Sequence, residues 1–254
     1  MVPYITDPGF TWLPFSLFSA LVLTGVVLGI LFTTWLGRRE GVRVEDSVKM
    51  CLWTVLPAYL GSHTLMIVFY YPVRILSDPM SLVRFNEGMS SFGGMLIAVI
   101  CFFTYLRNTG QLHHWRRRAD MAMQGFIVGW IFGRMGCSIV HDHPGRLSDF
   151  FLAVQYPGGA RHDLGFYEML FTLLVIFPCS LLIWKRRWKP GTQLIAACIL
   201  YALYRWPTDY LRIIDTRYFG LTPGQYGSVV LMAIGLYLWK NTYVYSASPR
   251  IAKS

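Results

Sequence analysis

Residues 121–140 read MAMQGFIVGWIFGRMGCSIV, twenty residues with a single charge, Arg134. A helix needs about 20 predominantly apolar residues to cross a bilayer, so this stretch predicts a transmembrane helix. An arginine at the centre of such a helix costs roughly 2.5–3.5 kcal/mol on insertion scales. Residues of this kind face a protein-lined or wet cavity and mark function, so the same twenty residues predict a span and a site.

Similar stretches recur at 12–36, 50–71, 93–106, 167–184, 192–211 and 222–239. The chain of 254 residues is 54% apolar and 14% charged, against about 25% charged for a soluble domain. The fold class is therefore all-α: a polytopic membrane protein with about seven transmembrane helices, read as a single domain over 1–254. No basic residue precedes the first span and no small-residue cleavage pattern follows it, so it reads as a retained span rather than a signal peptide. The five cysteines each fall in a different span and none forms CxxC, which points to packing rather than to disulfides or metal ligation.

The net charge of +10 reads as topology, not as an affinity for nucleic acid. Segments 37–49, 107–119 and 185–190 and the C-terminal tail hold 15 of the 23 Lys and Arg, all on one side if connections alternate. The positive-inside rule then places the N-terminus outside and the C-terminus in the cytoplasm. Basic clusters at 116–118 and 185–187 suit anionic lipid headgroups.

With that topology the polar intramembrane groups gather toward the outer face: His63 in the second span, Arg134 in the fourth, Tyr167 and Glu168 at the start of the fifth, and Arg205, Asp209 and Arg212 in and after the sixth. One reading is a network that only joins helices, since Arg205 and Asp209 stand four apart on one face and Arg134 can meet Glu168. The other is an anion site, because three arginines outnumber those acids and a guanidinium binds phosphate bidentately. Pro207, between Arg205 and Asp209, predicts a kink that opens the sixth helix, although packing alone also accommodates a membrane proline. Glycines at 93–94 and 133–136 permit either close helix packing or lateral entry of a ligand.

The connection 141–166 carries turn signals (HPG, YPGG) and too little apolar length to span. It predicts a small extracytoplasmic head or re-entrant segment. Its His141, Asp142, His143, His162 and Asp163 admit a metal site, but HDHPG is equally a capped turn, and the expectation is no metal. A proton relay through one of these histidines fits better. No inverted repeat supports a transporter, and there is no Walker motif, dinucleotide loop or nucleophile elbow.

Five ordered pieces, about residues 50–240, carry a family resemblance: FYYPVRILSDPMSLVRFNEGMSSFGGML, FGRMGCSIVHDHPG, RHDLGFYE, YALYRWPTDYLR and DTRYFGLTPGQ. In this order and spacing they resemble the prolipoprotein diacylglyceryl transferase family, whose signature reads G-R-x-G-N-F-x-N-x-E-x-x-G. Arg134 stands at the signature arginine, Asp142 at its acid and Gly145 at its closing glycine. Tyr201, Arg205 and Asp209 match the tyrosine, arginine and acid of the sixth-helix motif; His162, Tyr167 and Glu168 match the histidine, tyrosine and glutamate of the fifth-helix motif. Phe92 stands where the family has the histidine of HGG, Cys137 where it has the signature asparagine, and His63 in the segment where its second helix carries an arginine.

The resemblance implies a transferase of the bacterial inner membrane, with phosphatidylglycerol and the signal peptide of a prolipoprotein as partners and no cofactor. Arg134, Arg205, His162 and Asp142 are then the expected catalytic residues. Tyr201, Asp209, Gly145, Tyr167, Glu168, Gly93, Gly94, Arg212 and His63 join the two arginines as expected lipid-binding residues. The lipobox cysteine attacks the glycerol carbon that bears the phosphate, and glycerol 1-phosphate leaves. A non-catalytic lipid-binding protein and a lipid transferase with another acceptor remain the alternatives.

Overall fold

The computed structural model describes residues 1–5, 16–83, 90–213, 215 and 217–244, without the side chains of residues 69, 70, 72, 83, 91 and 92. The expectation placed on Phe92 therefore lies outside the described residues. In chain order the helices are α1 (Leu17–Arg39), α2 (Val44–Tyr70), α3 (Pro72–Ser77), α4 (Ser91–Asn108), α5 (Trp115–Val140), α6 (Leu164–Phe171), α7 (Phe177–Lys185), α8 (Thr192–Thr208) and α9 (Pro223–Trp239). Between α5 and α6 lie three strands, β1 (Pro144–Leu147), β2 (Val154–Tyr156) and β3 (Gly159–Asp163).

Leu17–Arg39, Val44–Val68, Leu112–Val140 and Leu164–Lys185 are each long and apolar enough to cross a membrane. Gly93–Asn108 is apolar but shorter. Helices α8 and α9 have 17 residues each, about 26 Å at 1.5 Å per residue, against a hydrocarbon core of about 30 Å. Leu23, Leu31, Leu56, Leu174 and Val230 are each more than half exposed, as expected of helices whose outer faces meet lipid. The chain is an all-α polytopic membrane protein apart from its small sheet.

Two compact units are present. Residues 33–118 form one, dominated by the α2–α4 hairpin. A Cβ on Gly93 would lie 2.8 Å from Leu65 Cβ, and one on Gly94 3.2 Å from Ser62 Cβ, so both glycines sit at this helix contact. His63 is fully buried here, with Nε2 2.9 Å from the carbonyl of Ser81. Arg117 pairs with Glu40, and Tyr105 donates to the backbone carbonyl of Asp46 at 3.1 Å.

The other unit comprises residues 1–32 and 119–254. Its α1 and α5 cross antiparallel through two small-residue pairs: a Cβ on Gly25 would meet the Gly129 carbonyl at 2.9 Å, and one on Gly29 the Gly125 carbonyl at 2.6 Å. Backbones approach this closely only where side chains are absent. Asp120 on α5 accepts from the backbone N–H groups of Gly191 (2.6 Å) and Leu194 (3.0 Å), capping the start of α8. The span Leu164–Lys185 is not uniform, since a π turn at Thr172–Ile176 separates α6 from α7. Pro207 falls in the last turn of α8, and the chain passes into a 3-10 turn over Asp209–Leu211. The expected kink within the sixth helix is instead the end of that helix.

The connection 141–166 folds as an antiparallel sheet of order β1-β3-β2. Tyr156 pairs with Gly159 across a two-residue Pro157-Gly158 turn. Val2 adds to the free edge of β2 by a parallel bridge to Val154, tying the start of the chain to the sheet. His141, at φ 53°, makes the left-handed turn out of α5. Its Nδ1 lies 2.6 Å from Asp163 Oδ2 and its Nε2 3.1 Å from the Ile5 carbonyl, and its ring stacks on Tyr4 at 4.0 Å. Tyr156 donates to the same Asp163 oxygen at 2.9 Å, and burial, followed by the Asp163 charge, raises its pKa well above the ordinary phenol range.

Candidate functional site

The centre of the site is Glu168, wholly buried on α6. Its Oε1 accepts from Trp130 Nε1 at 3.0 Å and from the Tyr201 hydroxyl at 2.8 Å, and lies 3.0 Å from Arg134 Nε. Its Oε2 accepts from Arg205 Nη1 at 2.9 Å. Two guanidinium groups from α5 and α8 thus converge on one carboxylate supplied by a third helix. The Arg134 guanidinium also lies over the Trp130 ring, 4.5 Å from its centroid.

A second carboxylate extends the cluster. Asp209 Oδ1 is 2.8 Å from Arg205 Nε and 3.2 Å from Arg212 Nε, while its Oδ2 accepts a hydrogen bond from Thr222. Thr222 caps α9 in a reciprocal capping box with Gln225. Gly224 lies so close that a Cβ there would collide with Asp209 Oδ2 and reach 3.1 Å from Arg205 Nε. Arg212 Nη1 donates to Asp215 at 2.9 Å. The expected surplus of arginines is corrected here: Arg134, Arg205 and Arg212 meet Glu168, Asp209 and Asp215.

Capacity for an anion resides in the donors left over. Each guanidinium offers five N–H bonds in a fixed fork. The Nη2 groups of Arg134 and Arg205 have no hydrogen-bond partner among the described residues, and neither is sealed from solvent. A Cβ on Gly133, next to Arg134, would meet nothing within 4 Å, so this flank is open. Gly136, one turn along, packs instead on Phe18, whose Cδ2 would lie 2.8 Å from a Cβ there.

The remaining expected residues divide. Gly145 makes an isolated bridge to Arg212, and a Cβ there would lie 3.0 Å from His162 Cβ and 3.1 Å from the Leu211 carbonyl. It thus lets the sheet approach the segment carrying Arg212. His162 Nδ1 pairs with the Tyr167 hydroxyl at 3.0 Å, outside the arginine cluster. Burial alone lowers the pKa of His162, with no charged group contributing. His63, Gly93 and Gly94 belong to the unit 33–118, as described above.

Asp142 comes close to the cluster together with Cys137 and His143, with ligand-type atoms of the three all within 4.8 Å of one another. Arg134 Nη1 lies 3.9 Å from Cys137 Sγ, and the charges of Arg134 and Arg212 both act on His143. The charges of Arg134 and Arg212 oppose a cation here, against the attraction of the Asp142 carboxylate. Trp130, Thr222 and Gly224 are parts of the site to which the sequence assigned no role, whereas His143 is one of several histidines considered there as a proton relay.

A polytopic helical membrane protein with buried arginines on three acids is, as a class, a membrane-embedded enzyme or lipid-binding protein. Comparison with known proteins narrows this. Residues 10–240 match the model of the family described as prolipoprotein diacylglyceryl transferase. A phosphatidylglycerol-prolipoprotein diacylglyceryl transferase of Actinobacillus pleuropneumoniae serotype 3 is 32% identical over 203 residues, covering 74% of this chain and 75% of that protein. Its namesakes in Chromohalobacter salexigens and Zymomonas mobilis are 28% and 27% identical, covering 85% and 87% of this chain and 85% and 81% of theirs. The chain belongs to the prolipoprotein diacylglyceryl transferase family.

Proposed function

We propose that this protein transfers the diacylglyceryl group of phosphatidylglycerol to the lipobox cysteine of a prolipoprotein, forming a thioether and releasing glycerol 1-phosphate. Family membership supports the reaction class. The observation that carries the reading to particular atoms is the convergence of Arg134 and Arg205 on Glu168, each with an Nη2 that has no hydrogen-bond partner among the described residues.

Glu168, Trp130 and Tyr201 fix the two forks, and Asp209 with Thr222 fixes the second from behind. Prepositioned donors of this kind need no reorganisation as charge develops on the departing phosphate, and each contributes about 2.7–4 kcal/mol by analogy with an oxyanion-hole donor. Arg212, held by Asp209 and Asp215, adds positive potential beside them. The thiol attacks the glycerol carbon, the carbon–oxygen bond breaks, and its electron pair leaves on the phosphate. Free cysteine titrates near 8.5, so a modest base suffices.

The reading includes a topology: the bacterial inner membrane, the N-terminus and segment 141–166 outside, the C-terminus in the cytoplasm, and one functional domain over the whole chain. The open flank at Gly133 suits lateral entry of lipid. The test uses purified protein, labelled phosphatidylglycerol and a lipobox peptide. Thioether product supports the assignment. Lipid binding without product overturns it in favour of a binding protein, and product on another acceptor redirects it to a different transferase.

A further inference from the structure

We propose that His143 is the proton acceptor of this transfer, its Nε2 receiving the proton of the attacking thiol while Asp142 positions the ring. The proposal rests on the transferase reading and adds a catalytic residue to it.

The argument starts from the tautomer. His143 Nδ1 lies 2.9 Å from the backbone carbonyl oxygen of Asp142 and 3.5 Å from its carboxylate Oδ1. Both partners only accept, so the neutral ring carries its proton on Nδ1 and presents a lone pair at Nε2. Among the described residues Nε2 has no hydrogen-bond partner. The side chain keeps 24% of its exposure, so the ring is reachable.

Position is the second argument. A ring nitrogen of His143 lies within 4.8 Å of Cys137 Sγ, and that sulfur is 3.9 Å from Arg134 Nη1. The imidazole is therefore one residue removed from the guanidinium proposed to hold the phosphate. The charged and titratable groups that act on it are Asp142 on its own turn, Arg134 from α5 and Arg212 from the segment after α8. The Cys137 thiol lies beside both the ring and the Asp142 carboxylate, within 4.8 Å of each. Burial is the largest influence and lowers the pKa of His143; Asp142 opposes it, the charges of Arg134 and Arg212 lower it further, and the net direction is down. The ring is thus neutral at physiological pH.

The other imidazoles of this unit are placed differently. Both nitrogens of His141 are taken up by protein groups, Asp163 and the Ile5 carbonyl, so neither is free to meet a thiol. His162 is paired with Tyr167, and no arginine acts on it.

In the step proposed, the S–H bond of the acceptor cysteine breaks and its proton goes to His143 Nε2. The sulfur electron pair forms the C–S bond as the C–O bond to phosphate breaks, and the leaving oxygen keeps that electron pair. The imidazolium then returns its proton to the departing phosphate or to water.

The test compares wild type with His143→Gln and His143→Asn, full-length in lipid nanodiscs, using phosphatidylglycerol and a lipobox peptide across pH 5.5–9. General-base removal predicts a fall in kcat of about 10²–10⁴-fold with KM for lipid little changed. The wild-type rate should level off above the His143 transition. Both variants should instead climb about tenfold per pH unit toward the thiol pKa near 8.5, following the thiolate alone. His162→Gln should have the smaller effect on this profile. Variants with wild-type kcat and a wild-type profile overturn the role of His143 and leave the transferase reading standing. An inactive wild type overturns both. Loss of activity with an unchanged pH profile also overturns it, because a merely structural histidine would behave in that way.

Discussion

Arg134 and Arg205, on different helices, occupy the two oxygens of one buried carboxylate: Glu168 Oε1 lies 3.0 Å from Arg134 Nε, and Oε2 lies 2.9 Å from Arg205 Nη1. Each side chain thereby commits part of its fork to the protein and leaves its Nη2 without a hydrogen-bond partner among the described residues. Lysine cannot divide itself in this way, because its single ammonium has no planar fork.

Replacing either arginine should therefore remove transfer without unfolding the protein. Arg134→Ala and Arg205→Ala are each expected to lower kcat about 10²–10³-fold. Arg134→Lys and Arg205→Lys should recover little of that. Thioether formation, measured beside helical content by circular dichroism, checks both halves of the statement.

Glu168→Gln should act on stability first. It leaves two nearly buried guanidinium groups facing a neutral amide, a loss of about 3–5 kcal/mol for a broken buried pair. Denaturant unfolding in detergent measures it, and Glu168→Asp should fall between the two. A Glu168→Gln variant as stable as wild type would mean that the arginines do not depend on this carboxylate.

Gly224→Ala tests the approach of α9 to Asp209. The added methyl would collide with the carboxylate that holds Arg205 and Arg212. Overpacking of this kind costs about 1–3 kcal/mol, and the displaced Arg205 should lower kcat more than it raises KM. Thr222→Val removes the hydroxyl shared by Asp209 and the α9 cap, at about 0.5–2 kcal/mol for the cap. Steady-state kinetics with melting curves separates the two effects.

These side chains show how far the sequence could be read. The pairs Arg205–Asp209 and Arg134–Glu168 were legible, the first from helical spacing and the second as complementary charges at similar depth. The helices themselves followed from apolar length. Trp130 and Thr222 were not legible as partners of those carboxylates, because their contacts join residues distant in sequence and carry no local period. The strands at 144–163 are three to five residues long, too short for alternation to show. Only the turn residues of HPG at 143–145 and YPGG at 156–159 announced a folded segment there. The Gly25–Gly129 and Gly29–Gly125 approaches needed two helices to be paired before their spacing meant anything.

Acid should weaken the region around the sheet. His143 and His162 both have pKa values lowered by burial in the folded protein, so near and below about pH 6.5 the unfolded chain binds more protons. Stability is then full above the unfolded histidine value and falls as pH drops through it. Unfolding free energy measured between pH 8 and pH 5 should decline, and His143→Gln with His162→Gln should flatten the decline. An unchanged slope in the double variant would assign the acid sensitivity to other groups.

The most direct test of the arginine site is equilibrium binding of labelled phosphatidylglycerol to purified protein, wild type against Arg134→Ala/Arg205→Ala. Charge-assisted hydrogen bonds are each worth about 1.5–3 kcal/mol, so the double variant should bind at least about a hundredfold more weakly. Diacylglycerol, which lacks the phosphate, should bind wild type and variant alike. Equal retention of phosphatidylglycerol by the two proteins would contradict the assignment of the phosphate to these guanidinium groups.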